Sequence, residues 1–141
     1  MLEAYLTIDD SPSAYSGALT EFLAGRDIQG LLYCRGDHME TFPDAMVHAV
    51  QKGQVIANHS YSHRPFGDLS FEQAVEEIEK TESLIDACYK QAGIARAGKY
   101  FRFPYLDKGD GDRLERRFGE ITKDPASFAG SDDEKVLALQ D

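Results

Sequence analysis

Asp9, Asp10, His59, His63 and Arg102 are the residue types that can hold a divalent cation and activate water beside it. They lie in three short segments: Thr7-Ile8-Asp9-Asp10-Ser11-Pro12, His59-Ser60-Tyr61-Ser62-His63 and Phe101-Arg102-Phe103-Pro104-Tyr105. His59 and His63 are four residues apart. On a helical turn that spacing puts both imidazoles on one side, within reach of one ion at about 2.0–2.1 Å. A carboxylate as third ligand leaves a position open to water, as in catalytic zinc-type sites. Of two adjacent carboxylates, one can bind the ion while the other stays free as a general base. Arg102 sits in an otherwise apolar run and needs an anionic partner there, for which an aspartate base is a natural candidate. Pro104 fixes the backbone after that run, so the N–H of Tyr105 can point inward as an oxyanion donor.

Each piece also has a plainer reading. Paired aspartates are common turn residues, Ser11-Pro12 resembles a helix N-cap followed by its first residue, and a strand arginine can snorkel to water. Position favours the chemical reading. Every segment ends or follows a run that reads as a buried strand, and parallel α/β folds build their sites at the carboxyl ends of strands.

Four such runs are visible: 4–8, 30–34, 55–57 and 99–103. Between them lie helical patterns. Residues 13–24 carry Tyr15, Ala18, Leu19, Phe22 and Leu23 at helical spacing. Pro43 opens a helix with Met46, Val47 and Val50 on its apolar face and Gly53 after its end. Ser70-Phe71-Glu72-Gln73 is a capping box before a long helix marked by Val75, Ile78, Ile85, Cys88 and Ala92, with Gly93 to stop it. Residues 107–112 read as a loop, 113–118 as a short helix, and Ser131-Asp132-Asp133-Glu134 as a second capping box. Alternating strands and helices predict parallel βαβ units in one α/β domain spanning 1–141.

The bulk numbers narrow the function. The chain has 141 residues, 42% hydrophobic and 28% charged, an ordinary globular composition. Its net charge of −10, from 25 acidic against 15 basic residues, excludes a nucleic-acid partner and disfavours an anionic membrane surface. No apolar run reaches the ~18 residues of a membrane span. Without a basic leader and small-residue cleavage site the expectation is a cytoplasmic protein, with export left to a longer precursor. Cys34 and Cys88 have no metal spacing and read as buried free thiols.

The three segments, in order, resemble the polysaccharide deacetylase family (carbohydrate esterase family four, the NodB-type homology domain). Its motifs read T-F-D-D-G-P, H-[ST]-x-x-H and R-x-P-Y, and the resemblance runs up to about Arg113. It implies that Asp9 is the catalytic base and that Asp10, His59 and His63 are the metal ligands. Arg102 would pair with Asp9, and the backbone of Tyr105 would support the oxyanion. The implied fold is a distorted, incomplete parallel (β/α) barrel, here missing its last strands. The implied ion is zinc, with cobalt or nickel also compatible. The implied reaction is removal of N-acetyl, occasionally O-acetyl, groups from chitin-like, peptidoglycan or xylan-like sugars by a metal-bound water.

Two departures stand out. Ser11 replaces the family's glycine, and the later Asp-Trp and Leu-x-His motifs find no match, since the chain has no Trp. Its other histidines lie upstream: His38 is placed to edge the pocket, and His48 reads as structural. Four strands cannot close a barrel of roughly seven or eight, so an open edge is expected to pair with a second copy of the chain. A metal- or sugar-binding module, or a deacylase of another amide, would carry the same motifs.

Overall fold

The apolar runs nearest the N-terminus form three parallel strands in a computed structural model that describes residues 4–119: β1 (Leu6–Ser11), β2 (Gly30–Cys34) and β3 (Val55–Asn58). They lie in sheet order β1-β2-β3. Helices α1 (Ser16–Ala24), α2 (Gly36–Thr41), α3 (Pro43–Gln51), α4 (Phe71–Ala92) and α5 (Gly111–Phe118) connect and cover them. Because every strand is parallel, the carboxyl ends share one edge of the sheet. The main core packs Leu32, Cys34 and Ile56 against Met46, Ala49 and Val50 of α3 and Ile85, Cys88 and Tyr89 of α4.

Local signals explain most boundaries. The Ser70 hydroxyl accepts from Gln73 N–H at 3.2 Å, and the Gln73 side chain returns to Ser70 N–H at 3.0 Å, closing the capping box of α4. Gly93, at φ 72°, ends that helix in the left-handed conformation that glycine adopts without steric cost. Pro43 opens α3, as its preset φ favours. Both cysteines are free and buried. Burial pushes both thiols up, Cys88 to about 11, so neither is a ready nucleophile. Among the described residues no helix is long and apolar enough to cross a membrane.

Three expectations are corrected. Residues 99–103 do not make a fourth strand: only Phe101 bridges Asn58, through Asn58 N–H to Tyr100 O at 2.9 Å and Arg102 N–H to Asn58 O at 3.0 Å. The pairing goes no further upstream because the Ile56 N–H donates instead to the Tyr89 hydroxyl at 3.1 Å. It goes no further downstream because β3 turns away after Asn58. The apolar face assigned to α1 is also rotated, with Ser16, Thr20 and Leu23 inward and Tyr15 and Phe22 outward. Helix α1 starts at Ser16 after Tyr15, so Ser11-Pro12 is no N-cap. Helix α2 escaped the periodicity reading because only Gly36 and Met39 of its six residues are buried. The second capping box, at 131–134, lies outside the described residues.

Beneath β3 sits a buried polar knot. Glu82 accepts from Asn58 Nδ2 at 2.9 Å and from both terminal nitrogens of Arg96 at 2.7 and 3.2 Å. The Arg96 and Glu82 side chains are each only 9% exposed. Glu82→Ala would leave a buried guanidinium with only Asp86 and a backbone carbonyl. Removing one partner of a buried pair costs about 3 kcal/mol or more. Urea unfolding should show that loss, and a change below about 1 kcal/mol would refute the role given to the pair.

Candidate active site

Adjacent residues of a regular strand face opposite ways, so two neighbouring aspartates cannot both serve one site without a local break. The break is present. Ile8 pairs with Leu32 and Ser11 with Cys34, so three steps along β1 match two along β2, and Asp10 within the bulge has φ 59°. A bulge of this kind re-aims side chains next to active sites. Both carboxylates now face the segment that follows β3: Asp9 Oδ2 lies 3.8 Å from His59 Nε2, and Asp10 Oδ1 lies 3.3 Å from His63 Nε2.

That segment is not the helical turn expected from the four-residue spacing. It is an irregular turn in which Ser60 (φ 65°) and His63 (φ 59°) are both left-handed. Its backbone N–H groups are held one by one. His59 donates to Cys34 O at 2.9 Å, Ser60 to Asn58 Oδ1 at 2.9 Å, and His63 to Ser60 Oγ at 3.1 Å. Tyr61 and Ser62 both donate to Glu77 Oε2, at 2.9 and 2.7 Å. Its carbonyls at Ser60 and Tyr61 accept from Gly36 and Asp37 at the start of α2. The approach there is so close that a Cβ on Gly36 would strike the Tyr61 ring and lie 2.7 Å from Thr81 Oγ1.

The result brings the two imidazoles together, Nε2 to Nε2 at 3.2 Å. His59 is 2% exposed, and its Nδ1 lies 2.8 Å from the Arg102 carbonyl. A carbonyl can only accept, so Nδ1 carries the proton and the Nε2 lone pair faces the carboxylates. Burial holds the His59 pKa below its ordinary value, with the Arg102 carbonyl and the Asp9 charge pulling the other way.

The donor set fits a divalent ion. Ligand atoms on a tetrahedron with bonds of about 2.0–2.1 Å stand about 3.3 Å apart. Here the separations are 3.2 Å between the imidazoles, 3.3 Å from His63 to Asp10, and 4.0 Å from His59 to Asp10. All three ligand atoms lie within 4.8 Å of one another. The His59 lone pair, the second imidazole nitrogen and the carboxylate oxygen would be satisfied together by a shared cation. A backbone carbonyl on the far nitrogen is the usual orienting partner of a metal-ligating histidine.

Asp9 is placed differently. Its Oδ1 accepts from Arg102 Nη1 at 2.6 Å, leaving Oδ2 toward the histidines. Arg102 also donates to Thr7 Oγ1 at 3.2 Å and lies 4.1 Å over the ring of buried Tyr33. Tyr105 sits in a short 3-10 turn at φ 58°, with its ring 4.7 Å from that of His63 and its side chain largely exposed. Positive φ at a non-glycine residue is strained. Of six such residues described, Asp10, Ser60, His63 and Tyr105 belong to these segments, Leu106 directly follows the third, and Asp27 lies apart.

The remaining histidines divide as follows. His38 Nδ1 lies 3.2 Å from the Asp10 carbonyl, beside the site, whereas His48 pairs with Glu21 on the surface at 2.8 Å. Sequence reasoning missed Tyr33 and Glu77. Tyr33 looks like any core aromatic, and Glu77 is one acid among several on α4. Thr7, in the first segment, gains its role through the contact with Arg102.

The sequence matches the polysaccharide deacetylase family over residues 3–117. It is 29% identical over 104 residues to a peptidoglycan-N-acetylglucosamine deacetylase of Bacillus cereus, covering 73% of this chain and 36% of that protein. It is 29% identical over 98 residues to a chitooligosaccharide deacetylase of Rhizobium leguminosarum bv. trifolii, covering 68% of this chain and 45% of that protein. This chain thus spans less than half the length of these two relatives. Among solved structures, the family 4 carbohydrate esterase from Streptomyces lividans in complex with acetate superimposes with a TM-score of 0.72 at 26% identity, covering 84% of this chain and 61% of the esterase. The three-stranded parallel sheet is thereby part of the partial barrel that such esterases share.

Proposed function

The chain belongs to the polysaccharide deacetylase family, and from that premise we propose that it forms the metal-dependent hydrolytic site of an enzyme that removes acetyl groups from N-acetylated carbohydrate. Asp10, His59 and His63 hold the ion. Zinc suits two imidazoles and one carboxylate best, and cobalt or nickel would fit the same ligands. Bound there, the ion supplies Lewis acidity toward an acetyl carbonyl and makes water more acidic.

The chain's own residues do the rest. Arg102 holds Asp9 by one oxygen, so the other is fixed in direction and free to take a proton from the attacking water. Tyr33 beneath and Thr7 beside keep the guanidinium from swinging away. The backbone N–H of Tyr105, at the turn against His63, stabilises charge developing on the carbonyl oxygen. Acetylated chitooligosaccharide and acetylated peptidoglycan are the substrates proposed, because similar proteins carry those names.

One observation carries the reading: two adjacent carboxylates take separate places, one against the paired imidazoles and one clamped by an arginine. The test is acetate release from N-acetylated chitooligosaccharides by the zinc-loaded protein. Acetate and free amine should appear in equal amounts, stop on chelation and resume when zinc is restored. Zinc-loaded protein that releases none would overturn the proposal.

A further inference from the structure

The turn from His59 to His63 leaves α4 with a task beyond packing. Glu77 grips this turn at three points, whereas Glu40 and Lys80 meet it at the Tyr61 side chain. Glu77 Oε2 accepts from the N–H groups of Tyr61 and Ser62, at 2.9 and 2.7 Å, and its Oε1 accepts from the Ser62 hydroxyl at 2.6 Å. The turn it grips contains two left-handed non-glycine residues, Ser60 and His63. Such a backbone persists only where its surroundings over-determine it.

The two histidines are not anchored equally. His59 follows β3 directly, is buried, and is fixed by hydrogen bonds from its backbone to Cys34 and from its ring to Arg102. His63 sits four residues along the turn and is more exposed, with its N–H held only by the Ser60 hydroxyl. Whatever places residues 61 and 62 therefore places His63.

We propose that Glu77 is the positioning residue of this metal site, holding the His63 imidazole in line with His59 and Asp10 through the backbone of Tyr61 and Ser62. The inference rests on Asp10, His59 and His63 being the ligands. Glu77 touches none of them, so it acts through geometry. That makes a specific prediction about which replacements succeed. In Glu77→Gln the amide oxygen can stand at Oε2 and still accept both N–H groups, while the amide nitrogen donates to the Ser62 oxygen. In Glu77→Asp the carboxylate charge remains, but the side chain is one methylene short and cannot reach the turn. Glu77→Ala removes the grip altogether.

Cobalt and zinc binding should be titrated into the metal-free full chain for wild type and these three variants. The visible spectrum of bound cobalt and the urea unfolding of each metal-free protein should be recorded alongside. Losing an outer partner of a metal ligand typically costs 10–100-fold in metal affinity. The expected order is wild type close to Glu77→Gln, then Glu77→Asp and Glu77→Ala weaker by 10–100-fold, with an altered cobalt spectrum. Should Glu77→Ala fail to fold, the contrast between Gln and Asp carries the test unaided. Equal affinity and unchanged spectra in Asp and wild type would overturn the inference, as would a Gln variant as weak as Asp. A wild-type chain that takes up no ion would overturn the ligand set itself and the inference with it.

Discussion

Asp9→Asn is expected to cut acetate release by about 10²–10⁴-fold while leaving the metal content untouched. Asparagine keeps the shape of the side chain, and its carbonyl can still accept from Arg102 Nη1, which lies 2.6 Å from Asp9 Oδ1. What disappears is the oxygen that can accept a proton. A positioned general base contributes about 10²–10⁴-fold to rate, and the loss should fall in that range. The decisive companion measurement is zinc content. Asp9 Oδ2 lies 3.8 Å from His59 Nε2, slightly nearer than Asp10 Oδ1 at 4.0 Å, so proximity to His59 does not by itself choose the ligand. The choice follows from His63, which sits 3.3 Å from Asp10, and from Arg102, which already occupies Asp9. An Asp9→Asn protein that loses its zinc would exchange the two roles.

The candidate side chains were legible in the sequence because they are residue types with metal and acid–base chemistry placed at strand ends. Asp9-Asp10, His59-x₃-His63 and Arg102 stand out by residue type and spacing, and the structure brings all five side chains to one edge of the sheet. The devices that bring them together were not legible. Neither the β-bulge at Asp10 nor the left-handed turn at Ser60 and His63 has a glycine to announce it. The turn's shape is imposed by Glu77 and the start of α2, both distant in sequence, together with the neighbouring Asn58. The same cause explains the missing fourth strand. Residues 99–103 have strand-like composition, but the neighbouring donor they would need is taken by the Tyr89 hydroxyl from α4. Helix α1 misled for a different reason. Its inward face uses Ser16 and Thr20, so hydrophobicity alone assigned the face to the exposed Tyr15 and Phe22.

The second large effect concerns the ion itself. Replacing both His59 and His63 by alanine removes two of three ligands and leaves one carboxylate, Asp10, whose side chain is 56% exposed. A single exposed aspartate does not retain zinc against buffer, so uptake should fall to background. In the intact site, uptake also depends on pH, since a histidine must be neutral to bind. Burial lowers the His59 pKa in the folded chain, whereas in the unfolded chain it stays near 6.5. The unfolded state therefore binds the extra proton first. The stability that neutral His59 contributes is present above pH of about 6.5 and is lost as pH falls from there through its folded pKa. Zinc affinity should decline over the same acid range.

The most direct measurement is elemental analysis of purified protein after zinc loading and gel filtration, for wild type and the His59→Ala, His63→Ala double variant, with urea unfolding to show that both are folded. Binding of the ion by Asp10, His59 and His63 predicts one zinc per wild-type chain and none in the folded variant. Equal zinc in both proteins, or none in either, would contradict it.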